Sequence, residues 1–252
     1  GSTCFIHAVL GSLGYSLPSL LPHLLPYQTP QGTFYLFAIP PQEVEILKAG
    51  GPAQEQFLQR FGPRILDVAG SVDPVMNAAI FTYLVTQQWP SPALCEYLVR
   101  VTQQEQVLTH PLVEQNPSLW PYTLSRAYAQ GATCLEPAKA LLQPRLLQQQ
   151  HPDGSWGSVL DTALATSSLL YFGYTGEALD RAIQPLLAQQ QPDGSWPRAV
   201  WKTMEDPAWV GSEEVSTGYV LEALGRYLQL RASTDQQAGA RLDEGGDLSR
   251  GG

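Results

Sequence analysis

Four segments of this chain that read as helices open on an acid or an amide. Asp73 leads into PVMNAAIFTYL, Asp161 into TALATSSLLYF, Glu214 into VSTGYVLEAL and Asn116 into PSLWPYTLSRAY. A carboxyl group held at a helix head can serve as general acid or base. The same residues have a structural use. Asp and Asn are favoured N-caps, Pro fits the first helical position, and an acid meets the positive end of the helix dipole. Capping alone supplies about 1 kcal/mol of helix stability per site.

An internal repeat positions these heads. LLQQQHPDGSWG (146–157) and LLAQQQPDGSWP (186–197) share Leu, Gln, Pro, Asp, Gly, Ser and Trp, with Trp156 and Trp196 forty residues apart. A weaker copy is YQTPQGTFYLF (27–37), where Gln28, Gly32 and Phe34 take the Gln, Gly and aromatic places. Asp-Gly supplies a turn, the tryptophan a large ring to bury with an N–H that seeks an acceptor, and the glutamine a cap for open backbone groups. Between the blocks, Leu141, Leu142, Leu146 and Leu147 fall at helical spacing, as do Leu179, Ile183, Leu186 and Leu187. No run of strict alternation argues for a sheet, so the pattern predicts an all-α chain. From Ala232 onward large apolar residues give way to Gly, Asp and Gln, which predicts a flexible tail over 232–252.

The 252 residues carry a net charge of −9 and only 15% charged side chains, so no basic surface tracks a phosphate backbone and nucleic acid is excluded as a partner. The longest apolar runs are interrupted by proline or polar residues and fall short of the ~18–20 residues that span a bilayer. Gly1-Ser2 reads as an added start, and the residues after it lack the basic flank and cleavage site of a secretory signal. Cys4, Cys95 and Cys134 are odd in number and far apart, which predicts unpaired thiols and a cytoplasmic setting. His7, His23, His110 and His151 are scattered, so neither a metal site nor a cofactor is expected.

The Gln-(x)n-Asp-Gly-Ser-Trp block between helices resembles the QW repeat of squalene-hopene and oxidosqualene cyclases, in the superfamily that includes the protein prenyltransferase β-subunits. The resemblance is specific over 141–230 and weaker over 27–140. It implies a single α/α-toroid of about five helical hairpins over residues 1–231, with parallel inner helices around an apolar cavity. In that arrangement the heads carrying Asp73, Asn116, Asp161 and Glu214 ring one rim.

Class II members of this superfamily begin catalysis by protonating an alkene or epoxide with the third residue of an Asp-x-Asp-Asp sequence, commonly followed by Thr-Ala. The acid must stay protonated in apolar surroundings, with neighbouring carboxylates and hydrogen bonds tuning it. SVLDTALA (158–165) keeps the last Asp and the Thr-Ala at Asp161, Thr162 and Ala163, but Leu160 stands where the acid belongs. SVDPVMNA (71–78) has Asp73 in the acid place, with Ser71 and Pro74 replacing the flanking aspartates. The resemblance therefore implies Asp73 as proton donor and Asp161 as supporting group, with Asp67 a further carboxylate six residues upstream of Asp73. The Asp, Cys and His zinc set of the prenyltransferases, the DDxxD helix of class I synthases and the thioester sequence of more distant toroids have no counterpart here.

Cavities in this superfamily are lined by aromatic faces that stabilise carbocations. Tyr83, Trp120, Tyr122, Phe172 and Tyr219 are the substrate-facing candidates, and Arg126 is a cation for a diphosphate or a carboxylate; Tyr128 and Tyr171 belong to the same aromatic set. Each is equally accounted for as core, or for Arg126 as a rim ion pair. LGYSLPSLLPHLLPY near the N-terminus reads as an outer element broken by proline, as a lid, or as a strip for peripheral membrane contact. The expected activity is protonation-initiated cyclisation or isomerisation of an isoprenoid or other apolar small molecule. Two rivals remain open: a non-catalytic toroid that binds a lipid or a protein, and a carbohydrate-active toroid with paired carboxylates.

Overall fold

The computed structural model describes residues 4, 7, 10, 14–36, 39–61, 70–104, 113–200, 202–204 and 209–246. Asp67 lies outside them. The chain divides into two compact units, unit 1 (Gly1–Arg145 with Val200–Val210) and unit 2 (Leu146–Ala199 with Gly211–Gly252).

Unit 1 contains α1 (Leu21–Leu24), α2 (Pro41–Lys48), α3 (Pro52–Phe61), α4 (Pro74–Thr86), α5 (Pro92–Gln103), α6 (Leu119–Ala129) and most of α7 (Glu136–Gln149). Four of these helices start on proline, whose fixed φ suits the first helical position and whose missing N–H costs nothing there. Unit 2 holds the end of α7, then α8 (Val159–Tyr171), α9 (Ala178–Ala188) and α10 (Glu213–Gly246). Helix α6 is buried without interruption from Leu119 to Ala127, and α8 likewise from Thr162 to Leu169. By contrast α5 and α9 bury one stripe and expose the other, the pattern of outer helices. Helix α4 packs on α6 in unit 1, and α8 packs on α10 in unit 2.

Leu146, Ala165, Leu169 and Leu179 form the centre of a cluster in unit 2, with Trp156, Tyr174, Tyr227 and Leu230 against it. In unit 1, Leu36 is buried against Phe57, Leu58 and Met76, and Leu84, Leu94, Leu98 and Leu124 are fully buried. Burial of each such leucine contributes roughly 1.5–3 kcal/mol.

Three features depart from the sequence expectations. A small antiparallel sheet, β1 (Val113–Gln115), β2 (Lys202–Met204) and β3 (Trp209–Val210), accompanies the helices of unit 1. Val113 pairs with Met204 and Lys202 with Val210. Strands of two or three residues are too short to leave a readable alternation. The segment expected as a tail is helical through Gly246, because Ala, Gln, Arg and Leu extend a helix whose nucleation cost is already met upstream. Third, Cys95 and Cys134 form a disulfide across 39 residues, between α5 and a 3-10 turn at Thr133–Leu135. Separation along the chain says nothing about proximity in space, and this pair replaces the expected free thiols. Cys4 stays reduced and buried, and burial pushes its thiol pKa up.

The Pro-Leu strip forms α1 and a 3-10 turn, and is tied to α4 through Tyr83, whose hydroxyl accepts the Leu20 N–H at 2.7 Å. Among the described residues no helix is long and apolar enough to cross a membrane, and no cluster of His, Cys, Asp or Glu could hold a metal ion.

Candidate active site at the helix heads

The turn before a helix head has one geometry in three places. Gln28 Nε2 donates to the Gly32 carbonyl at 3.1 Å, Gln150 Nε2 to Gly154 at 3.0 Å and Gln190 Nε2 to Gly194 at 3.1 Å. The next residue's N–H reaches the carbonyl four residues on: Thr29 to Thr33 at 2.7 Å, His151 to Ser155 at 2.9 Å and Gln191 to Ser195 at 2.8 Å. The aromatic N–H then meets a polar side chain near the start of an apolar helix. Phe34 donates to Asn77 Oδ1 at 2.7 Å, Trp156 to Thr162 Oγ1 at 3.1 Å and Trp196 to Thr217 Oγ1 at 3.0 Å. The indoles donate to the Leu146 and Leu186 carbonyls at 2.7 and 2.6 Å. Phe34 has no such donor, and Asn77 Nδ2 instead donates to the Phe34 carbonyl at 3.0 Å.

These bonds set a register that sequence alignment misplaces. With Asn77 matched to Thr162, Asp73 falls on Ser158 and Met76 on Asp161. Asp73 is the N-cap of α4, accepting the Met76 N–H at 2.6 Å. Ser158 is the N-cap of α8, accepting the Asp161 N–H at 3.2 Å, and Asp161 Oδ2 returns the bond by accepting the Ser158 N–H at 3.1 Å. Asp161 thus stands inside a capping box, three residues into the motif. Matching SVDP to SVLD by their shared Ser-Val puts Asp73 on Leu160, two residues from its structural place. Glu214 lies two residues after its cap, Ser212, and Asn116 two residues before its cap, Ser118. Ser212 Oγ accepts the Val215 N–H and holds the Glu214 carboxyl below its usual pKa, while Asn116 Oδ1 accepts the Ser118 N–H at 2.8 Å.

The two proposed acids differ in surroundings. Asp73 is 4% exposed and is the one carboxylate counted as buried among the described residues, whereas Asp161 is half-buried. Asp73 belongs to unit 1 and Asp161 to unit 2. Tyr97 of α5, which sequence reasoning passed over, senses Asp73. Burial first and the Asp73 charge second push its phenol up to about 12, against the opposing Arg100. Asn77, also passed over, is fully buried and donates to the Asp73 carbonyl at 2.8 Å. An amide in the midst of VMNAAIF was the available signal for it.

Trp120, Tyr122 and Arg126 share α6, and all three are buried. Arg126 Nη1 donates to the Tyr122 hydroxyl at 2.6 Å, its guanidinium 5.5 Å from the ring centre. Tyr83 and Phe172 sit near the far ends of α4 and α8, about 15 Å along the axis from Asp73 and Asp161. Tyr219 is half-buried on α10.

No family model matches the chain, and no curated protein matches it. Among solved structures it is similar to a variant of the type II terpene cyclase MstE from Scytonema, in complex with the substrate geranylgeranyl dihydroxybenzoate. The TM-score is 0.58 at 19% identity, over 83% of this chain. The fold is that of a type II terpene cyclase. The chain spans 66% of the length of that cyclase chain. The terpene cyclase fold accounts for the alternation of largely buried helices (α4, α6, α8) with amphipathic ones (α5, α9).

Proposed function

We propose that this chain is a terpenoid-processing protein of the class II cyclase kind, acting on an isoprenoid or other apolar small molecule. In this reading Asp73 transfers its carboxyl proton to an alkene or epoxide, leaving a carbocation that cyclises or rearranges and then loses a proton. The burial of Asp73 at the head of an apolar helix carries the proposal, since a proton donor of this kind works in apolar surroundings. A protonated carboxyl still accepts the Met76 N–H on one oxygen while the other bears the proton. Asp161 is the supporting carboxylate, Tyr83, Trp120, Tyr122, Phe172 and Tyr219 supply aromatic faces, and Arg126 meets an anionic end of the ligand. No cofactor or metal enters the step. The exposed Tyr15 and Leu17 support reading the segment as a strip for peripheral membrane contact. A cytoplasmic setting rested on unpaired thiols, and the Cys95–Cys134 disulfide removes that support.

The test is product formation from farnesyl, geranylgeranyl and squalene substrates, wild type against Asp73→Asn. Asn caps a helix as well as Asp, so the variant keeps the head of α4 and loses only the proton. Product from the wild type and none from the variant is expected; equal product removes Asp73 from the mechanism. One observation favours a second, non-catalytic reading, an isoprenoid- or protein-binding relative. Both acids spend hydrogen bonds on capping, and the two are out of register. Ligand binding without turnover by the wild type would establish it.

A further inference from the structure

Among the described residues, the buried and half-buried tryptophans Trp120, Trp156 and Trp196 are of two kinds. Trp156 and Trp196 donate their indole N–H to helix carbonyls, as the repeated turn requires. Trp120, outside that repeat, is 4% exposed, and its Nε1 has no hydrogen-bond partner. A buried donor without an acceptor costs about as much as a lost hydrogen bond, and native structures rarely leave one without a reason. The surrounding backbone does not share the deficit. At the head of α6, Ser118 N–H goes to Asn116 Oδ1, Leu119 N–H to the Asn116 carbonyl at 3.0 Å, Trp120 N–H to Pro117 at 3.4 Å and Tyr122 N–H to Ser118 at 3.4 Å, while Pro121 has none to give. The indole is therefore the donor left open at this helix head. Of the other buried side-chain atoms without partners, Ser71 Oγ lies two residues before Asp73 in the same unit.

We infer that the Trp120 indole N–H is a specificity donor for an oxygen atom of the ligand, so that the ligand is an oxygen-bearing isoprenoid (alcohol, carbonyl or epoxide) rather than a pure hydrocarbon. This rests on the isoprenoid-binding reading above and adds the class of substrate. An aromatic face alone stabilises hydrocarbon and cation alike, whereas a desolvated N–H rewards only a ligand with an acceptor, and a site built around such a donor discriminates against the analogue that lacks one.

The experiment compares farnesol with farnesene, the same isoprenoid skeleton with and without a hydroxyl, binding to the full chain by titration calorimetry in wild type and Trp120→Phe. Wild type is expected to favour farnesol by roughly tenfold, one hydrogen bond's worth, and the variant, which keeps an aromatic ring, to bring the ratio near one while still binding farnesene. An unchanged ratio in a variant with native circular dichroism overturns the donor role. Indole 1H–15N spectra of the wild type provide a second reading that does not depend on the variant folding. The Trp120 indole resonance, assigned sequentially, is expected to move downfield with farnesol and not with farnesene, and equal shifts count against the proposal. Wild type that binds neither compound overturns the isoprenoid reading itself, a failure distinct from tight binding with no preference, which removes only the part assigned to Trp120.

Discussion

Unit 1 and unit 2 present the same turn to the same kind of helix and hold it by different means. In unit 2 the turn is a complete Gln-x-Pro-Asp-Gly-Ser-Trp block, twice, with the indole tied to a helix carbonyl and the Asp side chain taking the serine N–H and hydroxyl. In unit 1 Gln28, Pro30, Gly32 and an aromatic survive, and Gln31 stands in place of the Asp. There the buried amide of Asn77 clamps both sides of Phe34, and a disulfide ties α5 to the turn before α7. Backbone geometry persists while its polar supports are exchanged. The acid at the helix head is one of the exchanged parts: it is a buried N-cap at Asp73 and a half-buried capping-box partner at Asp161.

The largest test of this contrast removes the support peculiar to unit 1. Replacing Cys95 and Cys134 by serine is expected to cost about 4 kcal/mol for a loop of this length, seen as a lower urea midpoint that reductant reproduces in the wild type and leaves unchanged in the variant. Within unit 2, the two glycines of the repeat should respond unequally. Both hold positive φ, +88° at Gly154 and +89° at Gly194, but a Cβ on Gly154 would lie 2.2 Å from the Arg181 carbonyl oxygen, and one on Gly194 would meet only the tip of Gln190 at 4.0 Å. Pro185 takes no helix bond from that Arg181 carbonyl, which is why it stands open to Gly154. Gly154→Ala is expected to cost about 3 kcal/mol and Gly194→Ala about 1 kcal/mol in chemical denaturation. Equal costs would mean that the two turns are equally accommodating.

Smaller effects separate the helix heads. Asp73→Ala should lose about 1–2 kcal/mol and Asp73→Asn only a few tenths, because Asn still accepts the Met76 N–H. Asp161→Ala, with the Ser158 cap intact, should lose less than Asp73→Ala, and thermal melts of the three variants check the order. The smallest effect concerns pH. The N–H and then the hydroxyl of Ser155 hold Asp153 below the ordinary 3.8, and those of Ser195 do the same for Asp193. A depressed folded pKa contributes stability above 3.8 that is lost as pH falls through the lower folded value. Carboxyl NMR titrations should find both groups titrating low, and Ser155→Ala and Ser195→Ala should each return only its own aspartate to the ordinary range.

The helical segments, the repeated turn and even its weak copy at Gln28–Phe34 were legible because they depend on local residue types: Gly at positive φ, Gln one turn before it and an aromatic two residues after. The three short strands were not, since two or three residues carry no period. The disulfide was hidden because Cys95 and Cys134 meet only through packing of α5 beside the turn at Thr133–Leu135. At the candidate site, Asp73, Trp120, Tyr122 and Arg126 were named from sequence, whereas Tyr97 and Asn77 were passed over because one resembles ordinary core and the other an interruption of it.

By itself, then, the amino-acid sequence determined that the chain is helical, that its helices follow repeated turns, and that acids stand at their heads, because propensity, capping and turn chemistry act over a few residues. Tertiary structure alone decided which acid is buried, which residue caps each helix, which cysteines join and which indole is left without an acceptor. Each of those depends on a partner far away in sequence, and a hydrogen bond or an excluded water exists only once that partner has been packed into place.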